Sequence, residues 1–214
     1  KRAWTELGGK SANIVCADCP DLDAAVASAI GSIFFNQGES CNAPSRLFVE
    51  STIKEAFLDK ALKMIPDFAP GDPLDEATVM GAIVDPIQMQ TVLGYIEAGR
   101  ADGARLLAGG SAARVDSGGL YIEPTLFDGV DASMRIAREE IFGPVLSVLS
   151  FTDIDEAVRQ ANATPYGLAA GVWTADLSKA IRTSRALRAG TVHVNQYDND
   201  DITVPFGGYK QSGN

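Results

Sequence analysis

Three cysteines, one histidine and 28 acidic residues carry most of the reactive chemistry open to this 214-residue chain. The stretch FFNQGESCNAPSR (34–46) sets Cys41 among small and polar residues directly after an apolar run. A thiol so placed is either a half-buried loop side chain or a group that a ligand can reach. The thiolate is the reactive species, so a nucleophilic cysteine needs both exposure and activation. Gly38, Ser40 and Asn42 allow close backbone approach and offer N–H groups to a developing oxyanion. His193, the only histidine, falls in a β-type run, which leaves a Cys–His pairing little support. The activator of Cys41 is then a carboxylate or a cofactor charge.

Cys16 and Cys19 form a C-x-x-C, which suggests zinc or redox use on its own. No second such pair follows, one distant histidine does not complete a tetrahedral site, and Cys16 lies inside the apolar run NIVCA. No metal site is expected. Glu6, in TELGGKSANIV, is a solvated charge unless the following Gly-Gly and strand let it lean into a cleft. Screened from water, its pKa would rise and suit general-base work near neutrality.

Composition narrows the class. A chain of this length buries a substantial core, and 46% apolar with 21% charged residues is ordinary for an α/β protein. A net charge of -10 argues against nucleic-acid binding, which needs clustered cations, and no apolar run is long enough for a membrane span. An odd, small number of cysteines fits a reducing cytoplasm. The chain starts at Lys1 without a signal-peptide pattern and stops at KQSGN, which reads as a piece of a longer protein.

The elements that must position these residues alternate. Leu22, Ala25, Val26, Ala29, Ile30, Ile33 and Phe34 make a helical stripe, with Asp21 and Asp23 at its start and Gly38 as its stop. A second helix starts at Thr52 with Glu55 as a capping box and turns Ile53, Ala56, Phe57, Ala61 and Met64 inward. Met89, Val92, Leu93 and Ile96 mark a third helix. Ile154, Ala157, Val158 and Ala161 mark a fourth, and Leu177, Ala180, Ile181 and Ser184 a fifth. Runs at 13–17, 46–50, 104–110, 145–151, 169–174 and 191–195 read as strands. The expectation is an α/β fold, a largely parallel sheet with helices on both faces. The stretch Pro66 to Pro86 reads as a long ordered loop.

Taken together, ELGGK, FFNQGESC, EEIFGPV (139–145) and PFGGYKQSG (205–213), in that order, resemble the NAD(P)-dependent aldehyde dehydrogenase superfamily, over essentially the whole chain. Within it, KRAW, GGKSANIV, ADCPDLD and TVPFGGYKQSGN look most like the bacterial gamma-glutamyl-gamma-aminobutyraldehyde dehydrogenases of putrescine degradation. The resemblance implies that Cys41 is the nucleophile, passing through a thiohemiacetal and a thioester, and Glu6 the general base. It implies that Glu140 bonds the nicotinamide ribose and that Phe142 borders the same half of NAD or NADP. Read alone, Glu140 is a helix-end charge and Phe142 a core aromatic. Phe206 resembles a residue near the substrate tunnel, although by itself it is equally a packing residue. Asp198, Asp200 and Asp201 precede it, either as a solvated loop or as a field that attracts a cationic aldehyde.

The resemblance also implies boundaries: 1–6 ends a preceding cofactor-binding domain, 7–196 is the catalytic domain, and 197–214 is a substrate-entrance segment leading to a further tail. It implies a cytoplasmic homodimer or homotetramer acting on a small-molecule aldehyde, with the 214 residues inactive alone. Thr5 stands where family members often have Leu. Two rivals remain: a dehydrogenase that passes the acyl group to coenzyme A, which needs no base such as Glu6, and a non-catalytic assembly module.

Overall fold

Short apolar runs become strands here because both faces of the sheet are covered. The computed structural model describes residues 1–198 and 201–214. β1 (Ala12–Val15), α1 (Leu22–Phe34), β2 (Arg46–Glu50) and α2 (Lys54–Met64) open the order. They are followed by α3 (Pro86–Ala101), β3 (Arg105–Ala108), β4 (Ala112–Ala113), β5 (Tyr121–Ile122) and β6 (Thr125–Asp128). Next come α4 (Arg135–Arg138), β7 (Val145–Phe151) and α5 (Ile154–Asn162). β8 (Ala169–Trp173), α6 (Leu177–Ala186) and β9 (Thr191–Val194) follow.

Seven strands form one sheet in the order β3-β6-β7-β2-β1-β8-β9, while β4 and β5 pair separately. Neighbours in the large sheet are parallel except β3 with β6. Period-two alternation divides the core. In β2, Leu47 and Val49 pack with the apolar stripes of α1 and α2, whereas Phe48 packs with those of α3 and α5. The α/β class expected from the sequence is the one observed.

Helix starts follow short-range chemistry. Asp21 accepts from Ala24 N at 3.0 Å, Asp85 from Gln88 N at 2.7 Å, and Asp153 and Asp176 cap α5 and α6 in the same way. Four expectations need correction. α2 begins at Lys54 with no side-chain cap, because Ile53 N bonds Glu50 O and enters the helix through a backbone turn. On α2 it is Leu58 that is buried, while Ala56 is exposed. On α6, Ala180 and Thr183 are buried and Leu177 and Ile181 are exposed, since the helix packs through its small residues. β6, flanked by Pro124 and Gly129, is a sheet strand missing from the sequence reading, and it turns β3 antiparallel.

The loop before α3 is ordered. It carries a Pro70–Met80 bridge and buries Met80 completely. No helix among the described residues is long and apolar enough to cross a membrane.

Candidate active site

The site gathers where three adjacent strands begin. Residues 5–10 lead into β1, the Cys41 loop leads into β2, and EEIFGPV leads into β7. Registers Ala12–Arg46 and Arg46–Ser147 set these lead-ins side by side. The usual α/β site lies at strand carboxyl ends. Here the chemistry-bearing residues collect at the amino ends.

The lead-ins touch. A Cβ at Gly9 would collide with the Cys41 carbonyl oxygen, so the Gly-Gly pair is what lets the ELGGK backbone pass against the thiol-bearing turn. Gly9 N also donates to Glu140 Oε1 at 3.1 Å, and the same carboxylate lies against Gly8. Half-burial raises the pKa of Glu140, while the Gly9 N–H and the Lys10 charge pull it down.

Cys41 is half-buried at the edge of a cleft of about 480 Å³ that Asn42, Asp201, Val204 and Phe206 also line. Burial raises its pKa. The N–H groups of Cys41 and Asn42 lower it, and the negative fields of Glu140 and Glu6 raise it further. Cys41, Glu6 and Glu140, singled out along 135 residues of sequence, are therefore electrostatic neighbours. Cys16 and Cys19 are also free thiols, and burial pushes Cys16 up to about 12.

Glu6 does not lean into a screened cleft. It is exposed, and its position is set through backbone: a bridge to Gly213, with Leu7 N donating to Ser212 O at 2.9 Å. Ser212 Oγ continues this strap, donating to Gly8 O at 2.7 Å and accepting from Gly167 N at 2.9 Å. Thr5 joins it through Asn214 Oδ1 at 2.7 Å.

Phe142 is no core aromatic. It is 38% exposed with φ +54, an unfavourable backbone for a bulky residue. Gln88 on α3 holds it there, donating to the carbonyls of Ile141 at 2.9 Å and Phe142 at 2.7 Å. Only the apolar stripe of α3 stands out in the sequence, and Gln88 lies outside it.

The acidic trio separates. Asp198 turns inward and accepts from Asn42 Nδ2 at 2.7 Å, next to the nucleophile candidate, while Tyr197 donates to Asn42 O at 2.8 Å. Asp201 stays exposed on the cleft, with Oδ1 accepting from Thr203 N and Oγ1, which lowers its pKa. Asp200 lies outside the described residues.

A model described as the aldehyde dehydrogenase family matches residues 1–214, the entire chain. The chain belongs to the aldehyde dehydrogenase family. Among its aldehyde dehydrogenase relatives, the NADP/NAD-dependent aldehyde dehydrogenase PuuC of Escherichia coli is 49% identical over all of this chain, which covers 42% of that protein. The solved indole-3-acetaldehyde dehydrogenase of P. syringae, in complex with NAD+, superposes with a TM-score of 0.98 at 62% identity. This chain is wholly covered there and spans 43% of that structure. The gamma-glutamyl-gamma-aminobutyraldehyde dehydrogenase of Burkholderia cenocepacia gives 0.97 at 60%, with the same coverage. Relatives named for different aldehydes differ by two points of identity, so similarity carries the family and not the substrate.

Proposed function

We propose that this chain is the thiol-bearing part of a longer enzyme that oxidises an aldehyde to its carboxylic acid with NAD+ or NADP+. In that protein residues 1–6 end the cofactor-binding domain, 7–196 form the catalytic domain and 197–214 border the substrate. The family resemblance extends the reading to a cytoplasmic homodimer or homotetramer. The observation that carries the proposal is Cys41 at the cleft edge, flanked by two N–H groups that favour its thiolate and within the fields of Glu6 and Glu140.

The chemistry follows from these groups. Cys41 Sγ attacks the carbonyl carbon, and backbone N–H groups beside it stabilise the oxyanion of the thiohemiacetal. The nicotinamide dinucleotide supplies a hydride acceptor when bound. Hydride loss leaves a thioester on Cys41. Glu6 takes a proton from the water that cleaves it, releasing the acid and the thiol. Glu140, held on the Gly8–Gly9 backbone, suits a ribose diol because a fixed carboxylate accepts from hydroxyls, and the exposed Phe142 ring beside it offers an apolar face. Asp201 and Phe206 on the cleft suit an amino- or gamma-glutamylamino-aldehyde, through charge at one end and packing along the stem.

The test is NADH absorbance with the full-length protein, with and without coenzyme A. Cys41→Ala is expected to abolish aldehyde oxidation while dinucleotide binding stays nearly intact. Turnover retained above a few per cent overturns the assignment, and turnover that depends on coenzyme A favours the acylating rival. The 214 residues alone are expected to oxidise no aldehyde.

A further inference from the structure

Between α1 and Cys41 the backbone takes up an unfavourable conformation. Asn36, Gln37 and Gly38 are consecutive residues in the left-handed region, with φ +46, +56 and +69. For the two side-chain-bearing residues this conformation costs roughly 1–2 kcal/mol each, somewhat less for asparagine, so surrounding contacts must hold it. Those contacts are specific. Gly38 abuts the Gly143 carbonyl so closely that a Cβ could not fit. Asn36 Nδ2 donates to Glu39 O at 2.8 Å.

Two further contacts run to the segment before α3, and another joins Gln37 to Glu39. Gln37 Oε1 accepts from Gly81 N at 3.2 Å, Glu39 Oε1 accepts from Val84 N at 3.1 Å, and Gln37 Nε2 donates to Glu39 Oε2 at 3.2 Å. Glu39 is a buried side chain two residues before the thiol, and none of the steps above uses it. A buried carboxylate that accepts a distant backbone N–H and a neighbouring amide is a fastener between two segments.

We infer that Glu39 is a positioning residue for Cys41: with Gln37 it clamps the left-handed 36–38 run to residues 81–84 and so sets the direction in which the Cys41–Asn42 backbone presents the thiol. The inference rests on Cys41 being the reactive thiol. The route is geometric, because Glu39 bonds Val84 N and Gln37 Nε2 and not Cys41 itself.

The experiment measures carboxamidomethylation of Cys41 by iodoacetamide against pH in the full-length protein, read by mass of the modified peptide. Cys19 in the same sample is the reference. Glu39→Ala is expected to misalign the N–H groups of Cys41 and Asn42 and move the Cys41 midpoint up by about half to one pH unit. Modification at pH 7 then slows roughly three- to tenfold while Cys19 is unchanged. Glu39→Gln keeps an acceptor for Val84 N and is expected to restore most of the rate.

An unaltered Cys41 profile in Glu39→Ala overturns the inference. So does a Glu39→Gln profile as displaced as that of Ala, or displaced downward, because charge would then be the cause. Should Glu39→Ala expose the buried Cys16 to reagent, a sign of unfolding, Gln37→Ala takes its place as the deciding variant. It removes the amide contacts to Gly81 N, Glu39 and Asn36, and an unchanged Cys41 profile in it overturns the inference equally. The readout does not depend on turnover, so it stays separate from the Cys41→Ala test of the enzymatic reading.

Discussion

Cys41 rests in surroundings that oppose its ionisation: burial first, with the fields of Glu140 and Glu6 added, against the backbone N–H groups of Cys41 and Asn42. In the proposed mechanism Glu6 therefore has opposite effects in the two half-reactions. Its charge disfavours the thiolate, yet its basicity is what the proposed cleavage of the thioester would use. Glu6→Gln keeps the shape and removes both. In the full-length enzyme it is expected to give a burst of NADH and then a stalled steady state, with deacylation slowed by roughly 10²–10⁴-fold. Its thiol is at the same time expected to react with iodoacetamide more readily at a given pH, because one opposing charge is gone. Normal steady-state turnover without a burst would show that Glu6 only holds the bridge to Gly213.

At the scale of elements, α3 links the site to the fold. Its N-cap is Asp85, its first turn carries Gln88 under the strained Phe142, and the residues just before it receive the Glu39 clamp. Asp85→Ala removes the acceptor for Gln88 N and is expected to cost about 1 kcal/mol in urea denaturation. Fraying at that end also loosens Gln88, so the full-length variant is expected to show a raised KM for the dinucleotide. An unchanged KM alongside the stability loss would confine Asp85 to the helix. Asp128, buried at the end of β6, ties α2 and β3 together through Lys54 at 3.1 Å and Arg105 at 2.6 Å.

At the scale of the whole molecule, two cations lie buried beside the strand starts. Arg46 is satisfied by the carbonyls of Lys10, Gln160 and Ala161 at 2.8, 3.2 and 2.9 Å. Lys10 is fully buried and its Nζ finds no hydrogen-bond partner among the described residues. Burial, then the Arg46 charge, lower it to about 7, while Glu140 and Glu139 act the other way. The unfolded lysine titrates near 10.5. Below about 7 both states carry the proton and the folded chain bears the whole burial penalty. Between about 7 and 10.5 the unfolded state binds more protons, so stability rises with pH. Lys10→Met is expected to flatten this rise and to raise Tm most below pH 7. Parallel Tm–pH curves for the two proteins would refute the assignment.

Short-range patterns were decisive where the responsible contacts are short-range. The α1 stripe with the aspartates at its start, the strand at 46–50 and the strand at 145–151 are legible because each depends on residues a few positions apart. The four motifs were enough to give the family. Sequence alone misjudged the face that α6 buries and left three things undecided: the inclusion of β6 in the sheet, the inward turn of Asp198 onto Asn42, and the exposure of Glu6. Local pattern also says nothing of Gln88 beneath Phe142 or of Glu39 fastened to Val84. These partners lie tens of residues apart or more. They meet only because parallel pairing of β1, β2 and β7 fixes one register and brings three unrelated lead-ins to the same edge, where space and charge, not propensity, choose each side chain's neighbour.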